Sequence, residues 1–364
     1  MKKHGYFRPV IILAMVTSLM VLGIGAPASA ATKTTIRLKI GSGHPLATDW
    51  IRFTSEFYCK EIVKRVGERT NYQLDLAEHW AGSVAKLGEE LTSVEIGILD
   101  MAAIPVPFTP TKLYLHNYQY NIPFFTGDPR LAGRVNGKIY KEFPALPNEF
   151  KKYNQIYLGS TGVGDYNLYT TFPVRTIADV KGHKIAAAGA NLPWISGVGA
   201  VPVQSSLNEA YTSVQTGVYE GWVLMAGSVV SFKLHELFRH CTLMSFGASG
   251  GLVALTVNAK VWDKLPQEVR TILQEVANEY SVKQADFMVE VSHKGMQTMK
   301  DAGVKFYQMP LEEKAKWAKM LINQPKKFAR EADAKGWPGT AIMKATISYA
   351  EAEGYVPPRK WMEE

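Results

Sequence analysis

Two cysteines, Cys59 and Cys241, in 364 residues are too few for a disulfide scaffold or a four-thiolate zinc site. No run of five basic residues occurs, and no interleaving of aromatic with basic residues, so nucleic acid is not an indicated partner. The chain also lacks a P-loop, a Cys-x-x-Cys pair, an internal repeat and a low-complexity tract, and no cofactor motif stands out. At 46% hydrophobic and 20% charged residues, with a mean hydropathy of −0.09, it is neither a disordered chain nor a multi-span membrane protein. Its length suggests two domains with ample core.

The one long apolar run is at the start. Lys2, Lys3, His4 and Arg8 precede apolar residues 10–24, and Ala28-Ser29-Ala30 gives the small-x-small pattern of a signal-peptidase site. About 15 apolar residues fall short of the ~20 that span a bilayer. Residues 1–30 therefore read as a cleaved secretory signal and the mature protein as periplasmic. Subtracting Lys2, Lys3 and Arg8 takes the formal charge from +8 to +5. In an oxidising compartment Cys59 and Cys241 could pair, or could remain two buried thiols.

Beyond the signal, strands alternate with helices. Residues 36–41, 72–76, 100–104, 155–158, 166–170, 183–187 and 252–257 read as strands, and 49–66, 87–96, 207–216 and 229–237 as helices. Such alternation implies an α/β architecture with largely parallel sheet. From Pro266 to Lys300 no Pro or Gly interrupts until Gly295, and Val269, Ile272, Leu273, Val276, Tyr280, Phe287 and Val291 form an apolar stripe. The 35 residues would reach about 52 Å, long enough to brace two lobes.

Three catalytic patterns fail on context. Gly247-Ala248-Ser249-Gly250-Gly251 matches G-x-S-x-G, but the strand-like 252–257 follows where a nucleophile elbow needs a helix. His235 and His240 are five apart and miss a common helix face. Gly159, Gly162 and Gly164 stand in the wrong order for a dinucleotide loop.

Several segments, in order, resemble the extracytoplasmic solute-binding proteins of TRAP (tripartite ATP-independent periplasmic) transporters, the C4-dicarboxylate-binding type. They are Leu87-Gly88 with Glu95-Ile96-Gly97-Ile98-Leu99-Asp100-Met101, Pro123-Phe124, and Thr176 through Ile185. Asn208-Glu209-Ala210-Tyr211 with Gln215-Thr216-Gly217, Glu220-Gly221, and Trp262-Asp263-Lys264-Leu265-Pro266 complete the set. The resemblance implies a two-lobed α/β periplasmic-binding-protein-like fold with a long helix spanning both domains. Domain I would be 31–162 with 250–290, and domain II 163–249 with 291–364. It implies capture of a small solute on hinge closure, no enzymatic activity, and delivery to TRAP membrane permease subunits by a monomer or homodimer.

The departures bear on the ligand. Where the family carries an arginine that forks onto a carboxylate, this chain has Ala186; a second arginine position is Tyr166, and the Gln-Glu-Asn run is Trp222-Val223-Leu224. Losing an Arg–carboxylate contact removes charge-assisted hydrogen bonds worth roughly 1.5–3 kcal/mol each. Tyr166, Trp222 and Leu224, with Trp194, suggest an aromatic-lined cleft, and His44 could add a hydrogen bond or partial positive charge. We expect ligand contacts from His44, Tyr166, Ala186, Trp194, Trp222 and Leu224. The expected solute is a small aromatic or apolar organic acid, its carboxylate met by neutral donors or by a relocated Arg52, Arg175 or Lys184. Alternatives are a cationic, choline-like amine drawn by cation–π contact, or an exported serine hydrolase using Ser249.

Overall fold

The computed structural model describes residues 1, 2, 5 and 33–364, so the signal expected over 1–30 lies, but for three residues, outside the described part. Contacts divide the chain into Met1–Lys33 and Thr34–Glu364, and the fold is that of the second unit.

β1 (Thr34–Gly41) runs into a glycine-rich turn and then a long helical stretch. That stretch is α1 (Asp49–Phe53), a π-helical segment over Thr54–Cys59, and α2 (Lys60–Arg69). The apolar spacing that predicts this helix buries Trp50, Ile62 and Val66. β2 (Tyr72–His79), α3 (Glu90–Glu95) and β3 (Met101–Pro105) follow. α4 (Pro129–Glu142) is capped by Asp128, which accepts from the Arg130 N–H, and α5 (Ala145–Glu149) closes the segment.

β4 (Gln155–Thr170) is one strand where the sequence suggests two, because Gly159, Gly162 and Gly164 break the side-chain alternation. Two of them permit close approach. A Cβ on Gly162 would lie 1.6 Å from the Ser249 carbonyl oxygen, and one on Gly159 2.7 Å from Ser281 Oγ. β5 (Lys184–Ala187), β6 (Val201–Gln204), α6 (Ala210–Gln215), β7 (Gly221–Met225) and α7 (Ala226–Ser231) form the next unit. β8 (His240–Asn258), α8 (Ala259–Lys264), α9 (Gln267–Asp301) and β9 (Lys305–Gln308) come next. α10 (Leu311–Met320), α11 (Gln324–Ala334) and α12 (Gly339–Glu351) end the chain.

The sheet order is β2-β1-β3-β8-β4-β7-β5-β6, with β9 on β8. It reads alike from both ends. β1 is parallel to β2 and β3, β5 is parallel to β6 and β7, and between these groups β8 and β4 run antiparallel to each other and to their outer neighbours. The two groups share a local design. After α3 the chain turns at Gly97 (φ 80°), and after α6 at Gly217 (φ 74°). The Asp100 N–H then donates to the Lys39 carbonyl at 3.0 Å, and the Glu220 N–H to that of Lys184 at 2.8 Å. The structural repeat is also written in the sequence, against the expectation of none: 120 residues apart, Leu87, Glu89, Thr92-Ser93-Val94 and Gly97 match Leu207, Glu209, Thr212-Ser213-Val214 and Gly217.

The result is a two-lobed α/β fold in which β4, β8 and α9 belong to both lobes. α9 is continuous over its 35 residues. Val269, Ile272, Leu273, Val276 and Tyr280 pack in one core with Ile40, Ile62 and Leu74. Met288 and Met299 pack in another with Val229 and Phe238. Each such side chain, fully buried, contributes roughly 1.5–3 kcal/mol. Cys59 and Cys241 are both buried and free, one in each core, so no disulfide joins them. Among the described residues no helix is long and apolar enough to cross a membrane.

Candidate ligand-binding cavity

The parallel strands of both groups end at one place, where open α/β sheets bind ligands. The turn after β1 brings His44, and the 3-10 turn after β3 brings Phe108. The segment after β5 brings Ala188 and Asn191, that after β6 Ser205 and Ser206, and β7 itself Trp222 and Leu224. β4 adds Tyr166 and β8 Leu252. These residues enclose about 40 Å³, space for about three waters, against the roughly 150 Å³ of a dry cavity that admits benzene. Among the described residues, none of the fifteen that line it is Arg, Lys, Asp or Glu.

His44 is fixed from two sides. Glu90, fully buried, accepts from the Gly43 and Gly88 N–H groups at 2.8 Å each, tying the glycine-rich turn to the start of α3. The turn is pressed so closely that a Cβ on Gly43 would lie 2.3 Å from the Leu87 nitrogen. The Trp50 indole then donates to His44 Nδ1 at 3.3 Å. An indole N–H can only donate, so Nδ1 is the acceptor and the proton of the neutral ring sits on Nε2. Burial lowers the His44 pKa to about 3. The ring therefore supplies a neutral N–H donor, and the partial positive charge considered from the sequence is not available at physiological pH.

Tyr166 shares a hydrogen bond with the Tyr120 hydroxyl at 3.2 Å, and burial raises its own pKa to about 12. Ser205 Oγ donates to Glu209 at 3.1 Å, an acid that also accepts from the Ser206 N–H. Asn191 is 1% exposed, and among the described residues neither atom of its side-chain amide makes a hydrogen bond of normal length, although it lies near enough to the Tyr166 hydroxyl to lower that group's pKa. A buried amide without partners costs roughly 1–3 kcal/mol, so this one is set to receive something.

Of the six residues expected at the site, His44, Tyr166, Trp222 and Leu224 meet around this cavity. Ala186 and Trp194 stand behind its walls. Ala186 is fully buried in β5, in parallel register with Trp222. Trp194 packs edge-on to Tyr166 at 5.3 Å and donates to the Tyr120 carbonyl at 2.9 Å, so it supports the Tyr166 ring from the core. None of the three cations considered lines the cavity. Arg52 pairs with Asp49 at 2.7 Å and lies over the Phe287 ring, while Arg175 and Lys184 are exposed. Sequence reasoning missed Asn191, Trp50, Phe108 and the Ser205–Ser206 pair. The position of Asn191, directly after the small apolar run Ala186 to Ala190, is the one signal that could have found it.

Ser249 lies inside β8, with strand on both sides. Its hydroxyl donates to Gln119 at 3.3 Å and accepts from the Gly251 N–H at 3.2 Å, and among the described residues no His, Asp, Glu or Lys is hydrogen-bonded to it. The G-x-S-x-G run is the point where β8 crosses β4.

Residues 54–331 match the bacterial extracellular solute-binding protein family 7. The C4-dicarboxylate-binding periplasmic protein DctP of Rhodobacter capsulatus is 34% identical over 257 residues, covering 69% of this chain and 75% of that protein. The TRAP solute-binding protein of Rhodoferax ferrireducens, solved in complex with copurified benzoate, superposes with a TM-score of 0.76 at 17% identity. The superposition covers 87% of this chain and 98% of that one. A marine metagenome TRAP protein specific for aromatic acid ligands, solved with 3-hydroxybenzoate, gives 0.75 at 16% identity, covering 89% and 100%. At those identities the two structures speak to fold alone. The family match and the DctP relative make this chain a binding protein, not an enzyme: it belongs to solute-binding protein family 7, the extracytoplasmic receptors of TRAP transporters.

Proposed function

We propose that the protein captures a small organic acid with one carboxylate and an aromatic or apolar body, and passes it to a TRAP membrane permease. The observation that carries this reading is a cavity walled by Trp222, Tyr166, Phe108 and Leu224 with no charged side chain in its lining. A carboxylate entering it would be met by His44 Nε2–H and the Asn191 amide, neutral donors in a low-dielectric space where each hydrogen bond gains strength. The rings would stack on a planar body at about 0.5–1.5 kcal/mol per pair beyond burial. A dicarboxylate would have to bury a second charge there without a cation, which is costly. A choline-like cation would find no carboxylate.

A ring-sized solute needs more than about 40 Å³, so entry requires the lobes to part. The crossing of β4 and β8 near Gly162 and Ser249 supports a hinge there, with 31–162 and 250–290 on one side and 163–249 and 291–364 on the other. Residues 1–30 are proposed to be removed on export to the periplasm. Thermal-shift screening of the purified mature protein against benzoate, succinate and choline tests the ligand. Benzoate should raise the melting temperature while succinate and choline do not; stabilisation by succinate alone would overturn the reading.

A further inference from the structure

The Gly189–Trp194 turn walls two cavities. Ala188, just before it, and Asn191 face the one described above, while Ala190 and Pro193 line a second of about 200 Å³, closed on its other side by α11. Its polar groups are unusual. Gln324, at the start of α11 and 3% exposed, has no partner among the described residues for either its side-chain carbonyl or its amino group. Asn117, 5% exposed, spends its amino group on the Leu113 carbonyl at 2.9 Å, and its own Oδ1 is unpartnered. Pro110, Ile322 and Phe328 supply apolar wall. At the mouth, Lys327 and Glu331 stand 3.9 Å apart, and Glu331 also accepts from the Tyr114 hydroxyl at 2.8 Å.

The pattern of unmet groups selects the chemistry. One amide donor and two carbonyl acceptors await partners on side chains whose burial makes each unmade bond costly. An anion would face Gln324 Oε1 and Asn117 Oδ1 across the cavity, and a cation would leave the Gln324 amino group unmet. A molecule carrying an N–H beside a C=O meets both edges of the Gln324 amide at once, in a reciprocal pair of hydrogen bonds.

We propose that this cavity is a second small-molecule site, taking an uncharged cyclic amide-type group: a lactam, an imide or a pyrimidine-like edge. It does not depend on what the first cavity binds. Because one turn walls both, occupancy of the second site is positioned to bias the first.

The probe is 2-pyrrolidinone, with cyclopentanone as the ring that lacks the N–H, followed by ligand-observed NMR on the full mature protein and by crystal soaking. Pyrrolidinone should bind at least tenfold more tightly than cyclopentanone, with density between Gln324 and Asn117, and Gln324→Leu should abolish its binding. Gln324→Glu, which replaces the donor by an acceptor, should weaken it by a similar factor and serves should Gln324→Leu not fold. Equal binding of the two rings, binding unaffected by either variant, or ordered water alone in the soaked cavity would overturn the proposal.

Discussion

Gln284 grips both backbone groups of Gly162. Its carbonyl accepts from the Gly162 N–H at 3.1 Å, and its amino group donates to the Gly162 carbonyl at 2.7 Å, with Gln284 itself 1% exposed. Gly162 lies where β4 meets β8 and where the strand register slips between Thr161 and Val163. A slipped register leaves backbone groups without ladder partners, and α9 reaches across to satisfy them. Tyr280, one helical turn earlier, shares hydrogen bonds with Thr161 Oγ1 at 3.3 Å and Thr54 Oγ1 at 2.6 Å. The long helix is thus stitched by polar contacts to the strand crossing, as well as packed on it.

Replacing Gln284 by leucine should orphan a buried donor and a buried acceptor at about 1–3 kcal/mol each. The expected loss is ~2–6 kcal/mol in a urea titration, with the slope unchanged. Gln284→Glu keeps the acceptor but sets a second oxygen against the Gly162 carbonyl, so it should also be destabilised near neutrality and regain stability as acid protonates that oxygen. A loss below about 1 kcal/mol for the leucine variant would mean the strand crossing is held by something else.

Ala186 and Trp222 predict a second experiment. They share parallel register across β5 and β7, both buried, so an arginine at 186 has neither space nor a counter-charge. Ala186→Arg alone should destabilise by about 3 kcal/mol or more, the scale of an unpaired buried charge. Adding Trp222→Gln should recover a large share, because the residues touch and their effects couple. The double variant should also gain succinate binding by calorimetry that the parent lacks. Additive losses in the pair would show that Trp222 does not occupy the arginine's space.

Much of this was legible in the sequence, for identifiable reasons. α9 is readable because an apolar stripe over thirty-five residues has no proline to stop it. β4 is misread as two strands because glycine at 159, 162 and 164 erases alternation over the stretch that crosses β8. The paired units were legible and are easily passed over, because the shared stretch is short: Thr-Ser-Val and a left-handed glycine recur 120 residues apart at 92–97 and 212–217, with one N–H after each aimed at a neighbouring strand. Tyr166, Trp222 and Leu224 are legible as cavity residues through their family positions. Asn191 is not, since its meaning is an absence of partners that only tertiary placement reveals. Trp194 is expected at the ligand and stands behind Tyr166 instead, because aromatic character alone does not say which side of a wall a ring occupies.

His44 and Trp50 give a test of tautomer control. Trp50→Phe removes the indole donor and keeps a ring, so His44 Nδ1 loses the bond that fixes the proton on Nε2. Nitrogen-15 shifts of His44 should report Nε2–H in the parent and a mixture in the variant. Benzoate affinity should fall in proportion to the rings that no longer carry the Nε2 proton, about twofold for an even mixture. An unchanged affinity with a changed tautomer would remove His44 from the carboxylate site.

Stability should rise as the solution is acidified from pH 8 to 6.5. Burial raises Glu90, Glu149 and Asp165 to about 7 and Asp49 to about 6. A carboxyl whose folded pKa is raised stabilises fully below its unfolded value and loses that contribution as pH climbs through the folded one. Between pH 8 and 6.5 the folded chain therefore takes up protons that the unfolded chain does not. His44 and His116, lowered to about 3 by burial, work the other way. Their contribution fades as pH falls through 6.5 and below, which offsets about half of the carboxyls' gain there, so the rise should continue without steepening. His116 bonds the Tyr140 hydroxyl through Nδ1 and sets Nε2 3.3 Å from Glu149 Oε2, which makes Glu149 the carboxyl to test. Glu149→Gln should remove one of the three carboxyls that take up protons near neutrality and reduce the net rise in melting temperature over that interval by about a third to a half, since the histidines already offset part of it. A parent whose melting temperature falls between pH 8 and 6.5 would show that these carboxyls are solvated rather than buried.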